Sequence, residues 1–280
     1  MSDIRYIHEL LERHYHEAAE GLVDKVPSRL SRGEGTEKNF YILKIDLVGS
    51  TQMLLGRKKG TYLKLAHTFL SSIDKITENC GADSAQTEYA GDSVLAYFPE
   101  NVTAEEVMRA ASCSRAAVLG IKRLDVTLQS LQLKCKVVLH FDTLLVSKIG
   151  PRANSFITAI GYPLHRVAKL EKEIAADTGR ATEKFFEKVT RGNKKYLFPV
   201  YEEKQIQVPS ASQQVVNSLD TSLGSLSGLL NFSPADPKNT LHTIIRSLPP
   251  PTPQFRIEKN LIGYNLIWPL LFHDLGLSQI

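Results

Sequence analysis

The spacing of apolar and polar positions changes along the chain and marks out its elements. From residue 3 to 25, Ile4, Ile7, Leu11, Tyr15, Ala18 and Leu22 recur at helical spacing, with charges and histidines between them. A helix closed by Pro27 is expected, its stripe suited to the core or to the twin helix of a second subunit. His8, His14 and His16 read as solvated groups. The period then shortens. Asn39-Phe-Tyr-Ile-Leu-Lys-Ile-Asp-Leu-Val-Gly-Ser-Thr51 is an apolar run rich in β-branched and aromatic residues, a buried strand that ends in Asp46. Leu65, Phe69, Ile73 and Ile76 restore the helical period over Gly60 to Asn79, and Gly81 stops it. Residues 84 to 98 predict a hairpin about Gly91-Asp92. Thr103-Ala-Glu-Glu106 is a capping box that opens a helix to about Leu124. Leu133 to Phe141 reads as a strand answered by Thr143 to Ile149 across a turn at Asp142. A helix from Leu164 to about Ala176, a helical patch from Thr182 to Val189 and a hairpin turning near Gly192-Asn193 follow. The alternation predicts an α+β domain with helices packed on a mostly antiparallel sheet.

Beyond about residue 205 the composition shifts toward Ser, Gln, Leu and Asn, and Pro-rich connectors stand at 234–237 and 249–253. Val215 to Leu230 carries a weak helical pattern. Ile257 to Leu277 reads as an apolar terminal element that docks on other structure.

Bulk properties narrow the choice. The 280 residues suffice for one large domain, alone or with an extension. Lys and Arg total 34 against 30 Asp and Glu, a mild excess that gives no argument for nucleic-acid binding and is compatible with a polyphosphate ligand. Cys80, Cys113 and Cys135 lack metal-ligand spacing and read as reduced thiols of a cytoplasmic protein. The N-terminus lacks the layout of a signal peptide. Asn260 to Leu277, the most apolar stretch, is broken by Gly263, Asn265, Pro269, His273 and Asp274 and reads as soluble structure.

The candidate chemistry lies in two carboxylates. Asp46 ends a buried strand, and Asp92 stands in a Gly-Asp turn before the apolar run Ser93 to Phe98. An ionised carboxylate beside a buried strand is costly unless a cation meets it. A shared divalent metal and a pair of turn-capping aspartates are both consistent with this pattern.

Four stretches occur in order: Ile45-Asp-Leu-Val-Gly-Ser-Thr51, Glu88-Tyr-Ala-Gly-Asp-Ser-Val-Leu-Ala-Tyr-Phe98, Leu139-His-Phe-Asp-Thr-Leu-Leu-Val-Ser-Lys-Ile-Gly150 and Ile160-Gly-Tyr-Pro-Leu-His-Arg-Val-Ala-Lys-Leu-Glu171. Together they resemble the metal-aspartate strand, Gly-Asp hairpin, His-Thr-Gly strand pair and Gly-Asp-x-Val-Asn helix start of class III nucleotidyl cyclase catalytic domains. The resemblance covers residues 38–203. It leaves 1–37 as an N-terminal helix and loop and 204–280 as a C-terminal extension.

The resemblance implies a cyclase-type, ferredoxin-like sheet and a two-metal site. Asp46 and Asp92, with Leu47, would hold two Mg²⁺ or Mn²⁺ ions, hard cations that favour oxygen ligands. Leu47, Gly49, Ser50 and Thr51 would cradle the phosphates of a nucleoside triphosphate. His165 and Lys169 stand where the family has its transition-state Asn and Arg, a departure that exchanges a bidentate grip for a point charge. Arg191 lies near the family's phosphate-contacting lysine. Glu88 and Thr158 occupy the base-reading positions, and Tyr162 or Tyr89 would shorten the pocket. That pair suits guanine, uracil or cytosine better than adenine. The layout is similar to the bacterial pyrimidine cyclases of antiphage signalling. It implies a homodimer with sites at the subunit interface and a downstream cyclic-nucleotide effector. A guanylate cyclase and a degenerate nucleotide-binding regulatory domain are the alternatives.

Overall fold

The strand that ends in Asp46 is the spine of the sheet. In a computed structural model, which describes residues 3–19, 21–50, 58–83, 86–124, 126–129, 132–208 and 254–277, it forms β1 (Gly35–Leu47). Its period-two alternation feeds two cores. Tyr41, Leu43, Ile45 and Leu47 enter one, while Phe40 and Ile42 enter the other. β1 pairs antiparallel with β3 (Ser93–Pro99) on one side and β4 (Cys135–Ile149) on the other. β2 (Glu88–Ala90) adds to β3, and β5 (Phe156–Ile160) adds to β4, both antiparallel. β6 (Gly179–Ala181) lies parallel to β4, then β8 (Gln254–Leu266) and β7 (Leu197–Val208) complete the order β2-β3-β1-β4-β6-β8-β7.

Helices cover both faces. α2 (Lys59–Asn79) and α3 (Ala104–Ile121) close one core with Leu65, Phe69, Ile73, Val107 and Ala111. The hydroxyl oxygen of Thr103 accepts from the Glu106 N–H at 3.2 Å, as the capping box requires. α4 (Tyr162–Glu173) closes the other core with Val167 and Leu170. The N-terminal helix α1 (Asp3–Glu17) stops short of residue 25, because Ala19 and Val23 donate to Gly33 and Gly35 and draw the chain alongside β1. Ile7, Leu11 and Tyr15 on α1 remain exposed, so their stripe is not core packing.

Three expectations are corrected. There is no turn at Asp142: β4 runs through it, opposite Phe40 of β1. Its carboxylate is held there by Lys184 at 2.7 Å and by the Thr143 N–H at 3.0 Å. There is no hairpin at Gly192 either. A short helix, α5 (Glu183–Lys188), and a 3-10 turn at Asn193–Tyr196 precede β7, whose sheet neighbour comes from the C-terminal segment. That segment, expected outside the domain, contributes to its sheet. Asn265 and Tyr264 pair with Arg180 and Ala181, and Met1–Val200 forms one compact unit with Ile262–Ile280. Tyr201–Leu261 forms a second unit, in which Lys259 and Glu203 pair at 2.8 Å. The weak helix expected over 215–230 and the Pro-rich pieces at 234–237 and 249–253 lie outside the described residues.

α6 (Trp268–Asp274) fixes the returning strand. The Trp268 ring lies so close to Gly179 that a Cβ there would sit 2.4 Å from it. Its indole N–H donates to the Asp177 carbonyl at 3.2 Å, and the Arg115 guanidinium lies 5.2 Å from its centroid. Trp268→Ala is expected to destabilise the fold by about 3 kcal/mol, through lost contacts and the cavity left behind, measured by urea unfolding. Gly179→Ala should also destabilise it, by overpacking.

Candidate active site

Asp46 lies one residue from the end of β1, opposite Ser93 on one side and Lys136 on the other. The chain leaves the strand through Gly49, whose φ of +79° suits glycine, and Ser50 follows it. Asp92 follows Gly91, at φ +63°, in the turn between β2 and β3. The two turns are stitched together. The Leu47 N–H donates to the Asp92 carbonyl at 3.1 Å, and the Ser50 hydroxyl donates to the Asp92 carboxylate in a short hydrogen bond. The N–H of Leu47 is thereby committed, as is that of Val48 to Lys134. These two donors are not available to phosphate, which narrows the expected cradle to Gly49 and the residues after it. Thr51 lies outside the described residues.

Burial, then the Asp92 carboxylate, then Glu171 push the Asp46 carboxyl up to about 6, against the pull of Lys44 and Lys136. Asp46 and Asp92 thus repel each other at one end of the sheet, and neither is in an ion pair among the described residues. No cluster of three or more His, Cys, Asp or Glu side chains with metal-site geometry occurs among the described residues. The two carboxylates are hard oxygen donors. This set fits Mg²⁺ or Mn²⁺.

The other predicted residues fall into separate places. Glu88 and Thr158, 70 residues apart, meet: the Thr158 hydroxyl donates to Glu88 at 2.8 Å, and the Ala159 N–H lies 3.4 Å from the same oxygen. Tyr97 is fully buried nearby, and burial and the Glu88 carboxylate push its phenol up. Tyr89 and Tyr162 are exposed. His165 and Lys169 lie one turn apart on the solvent side of α4, opposite Val167, Leu170 and Glu171. The His165 ring packs 6.3 Å from that of Tyr162, and Lys169 pairs with Glu173 at 3.9 Å. Among the described residues no hydrogen bond or ion pair joins His165 or Lys169 to Asp46 or Asp92. Arg191 sits in an exposed turn with no such link either. His140, in the third motif, is buried, bonds Thr182 at 2.7 Å and is pushed down to about 4 by burial, so it is a neutral structural group.

Sequence reasoning missed three charged residues around Asp46. Lys44 and Lys136 both pair with Glu171, at 3.4 Å and 3.3 Å. The available signal was a charge placed where the pattern asks for none: Lys44 inside the apolar run of β1, and Glu171 on the buried stripe of α4.

No protein-family model matches the sequence, and no curated protein matches it. Solved structures do. A bacterial light-regulated adenylyl cyclase superposes with a TM-score of 0.55 at 14% identity, over 63% of this chain and 51% of that one. The guanylyl cyclase Cya2 gives 0.51 at 15% identity, over 63% and 88%. The adenylyl cyclase CyaB from P. aeruginosa gives 0.50 at 18% identity, over 64% and 91%. The fold is that of class III nucleotidyl cyclase catalytic domains. Among the described residues no helix is long and apolar enough to cross a membrane.

The raised pKa of Asp46 has a consequence for stability. The folded state holds a proton on this carboxyl between its ordinary value near 4 and about 6, so its contribution to stability falls as pH rises through that window. Asp46→Asn should therefore stabilise the protein in EDTA by about 1–2 kcal/mol at pH 7.5 and by almost nothing at pH 4, read as the difference in unfolding free energy.

Proposed function

We propose that this protein is a nucleotidyl cyclase that converts a ribonucleoside triphosphate, UTP or CTP by preference, to its 3′,5′-cyclic monophosphate with release of pyrophosphate. The observation that carries this reading is the pair Asp46 and Asp92, joined by the Leu47–Asp92 hydrogen bond and free of ion pairs among the described residues, on a fold shared with adenylyl and guanylyl cyclases. Mg²⁺ or Mn²⁺ held there supplies Lewis acidity toward the ribose 3′-hydroxyl and the phosphates. The chain's own residues bind and orient. Asp46 and Asp92 hold the cation, and Gly49 lets the backbone approach the triphosphate. His165 positions the ribose and Lys169 places its ammonium against phosphate charge, a division of labour that rests mainly on positioning and electrostatics.

His165 and Lys169 face solvent, and among the described residues no hydrogen bond or ion pair joins them to Asp46 or Asp92, so a complete site needs a second copy. A two-fold pair of chains then makes two equivalent sites, each with metal ligands from one chain and α4 from the other. The exposed apolar stripe of Ile7, Leu11 and Tyr15 supports such pairing.

Base choice rests on Glu88 and Thr158, which lie close enough to read neighbouring atoms of one base edge. Glu88 accepts from uracil N3–H or cytosine N4–H, while the Thr158 hydroxyl, able to donate or accept, turns to the adjacent ring atom. Guanine is the second reading, because both oxygens of one carboxylate can accept from its N1–H and N2–H. A cyclic pyrimidine nucleotide made here would be a messenger for a separate effector, as in antiphage signalling.

Incubation of the purified protein with each ribonucleoside triphosphate and Mn²⁺ should yield cyclic UMP or cyclic CMP by mass. Product from GTP alone would replace the pyrimidine reading, and no product from any of the four would overturn the activity. Asp46→Ala and Lys169→Ala should each be inactive alone, and mixed dimers of the two should regain up to a quarter to a half of wild-type activity. Proven mixed dimers without activity would sink the shared-site model.

A further inference from the structure

Asp46 has an ammonium-bearing residue on either side and pairs with neither. Lys44 precedes it by two residues on the same face of β1, and Lys136 is its direct cross-strand partner on β4. Opposite charges placed this way across a sheet ordinarily pair with each other. Here both ammoniums turn to Glu171 instead, Lys44 at 3.4 Å and Lys136 at 3.3 Å, and Lys136 also donates to the Glu171 carbonyl at 3.0 Å. Glu171 is only 8% exposed and lies on the α4 stripe that carries Val167, Leu170 and Ile174 into the core. An apolar side chain would fill that position without the desolvation a carboxylate suffers.

We infer that Glu171 is a positioning residue of the cation site: it draws Lys44 and Lys136 away from Asp46 and so leaves that carboxylate open to a divalent metal. The inference rests on the reading of Asp46 and Asp92 as cation ligands. Its physical content is geometry and charge together. Lys44 and Lys136 against Glu171, Asp46 and Asp92 sum to +2 − 3 = −1. Without the Glu171 charge the sum is +2 − 2 = 0, and an ammonium released from Glu171 competes with the metal for Asp46 directly. One unit charge at such separations, in the effective dielectric of a partly buried site, changes divalent-cation affinity by about tenfold.

The test is binding of Mn²⁺ alone to the full-length protein, followed by the electron paramagnetic resonance signal of free Mn²⁺. Glu171→Gln should bind about tenfold more weakly, and Lys44→Met severalfold more tightly. The double variant, with the sum again at −1, should return to within about threefold of wild type. Such rescue by charge compensation would not follow from a merely structural role. Unchanged affinity in Glu171→Gln, equal loss in the single and double variants, or no tightening in Lys44→Met would each overturn the inference. Lys44→Met keeps the test decisive if Glu171→Gln fails to fold. Asp46→Ala separates the two levels: wild-type Mn²⁺ binding in that variant would refute the underlying cation-ligand reading instead.

Discussion

A carboxylate at the end of a strand buried on both faces is the constraint on which this architecture turns. β1 is paired with β4 along its whole length and with β3 from Phe40 to Asp46, so the backbone at Asp46 is held in the ladder that supports both cores. Its charge must be met where it stands. Asp92, delivered by a glycine turn and tied back by the Leu47 N–H, adds repulsion rather than relief. The arrangement costs stability once both carboxylates are ionised.

The sheet spine was legible in the sequence because it is local. The run from Phe40 to Leu47, the Gly91-Asp92 turn and the Thr103 cap each declare themselves within a few residues, and each stands in the structure as expected. Where partners are distant, the local pattern misled. Asp142 looks like a turn residue but is a strand residue, because Lys184, 42 positions on, supplies the counter-charge. Gly192-Asn193 looks like a hairpin, yet the partner of the following strand comes from the C-terminal segment.

The same limit governed the site. Glu88 and Thr158, expected at base-reading positions, are in contact, whereas nothing local marks Lys44, Lys136 and Glu171 as one cluster. Lys44 and Glu171 are 127 residues apart, and their meeting depends on α4 crossing the face that β1 and β4 present. Two lysines in a strand pattern and one glutamate in a helix stripe read separately as flaws in amphipathicity. Only the fold shows that they answer one another.

The insertion of β8 between β6 and β7 bears on how the chain is made. β6 is three residues long, and its free edge is covered only by Tyr264 and Asn265, more than eighty positions later. During synthesis, β6 must wait with that edge uncovered until residues 254–266 have been made. Pairing across so long an interval slows folding, and an open strand edge invites contact with other chains in the meantime. A cell making this protein in quantity would need to shield its unfinished sheet, because a chain cut short before β8 would leave the β6 edge bare.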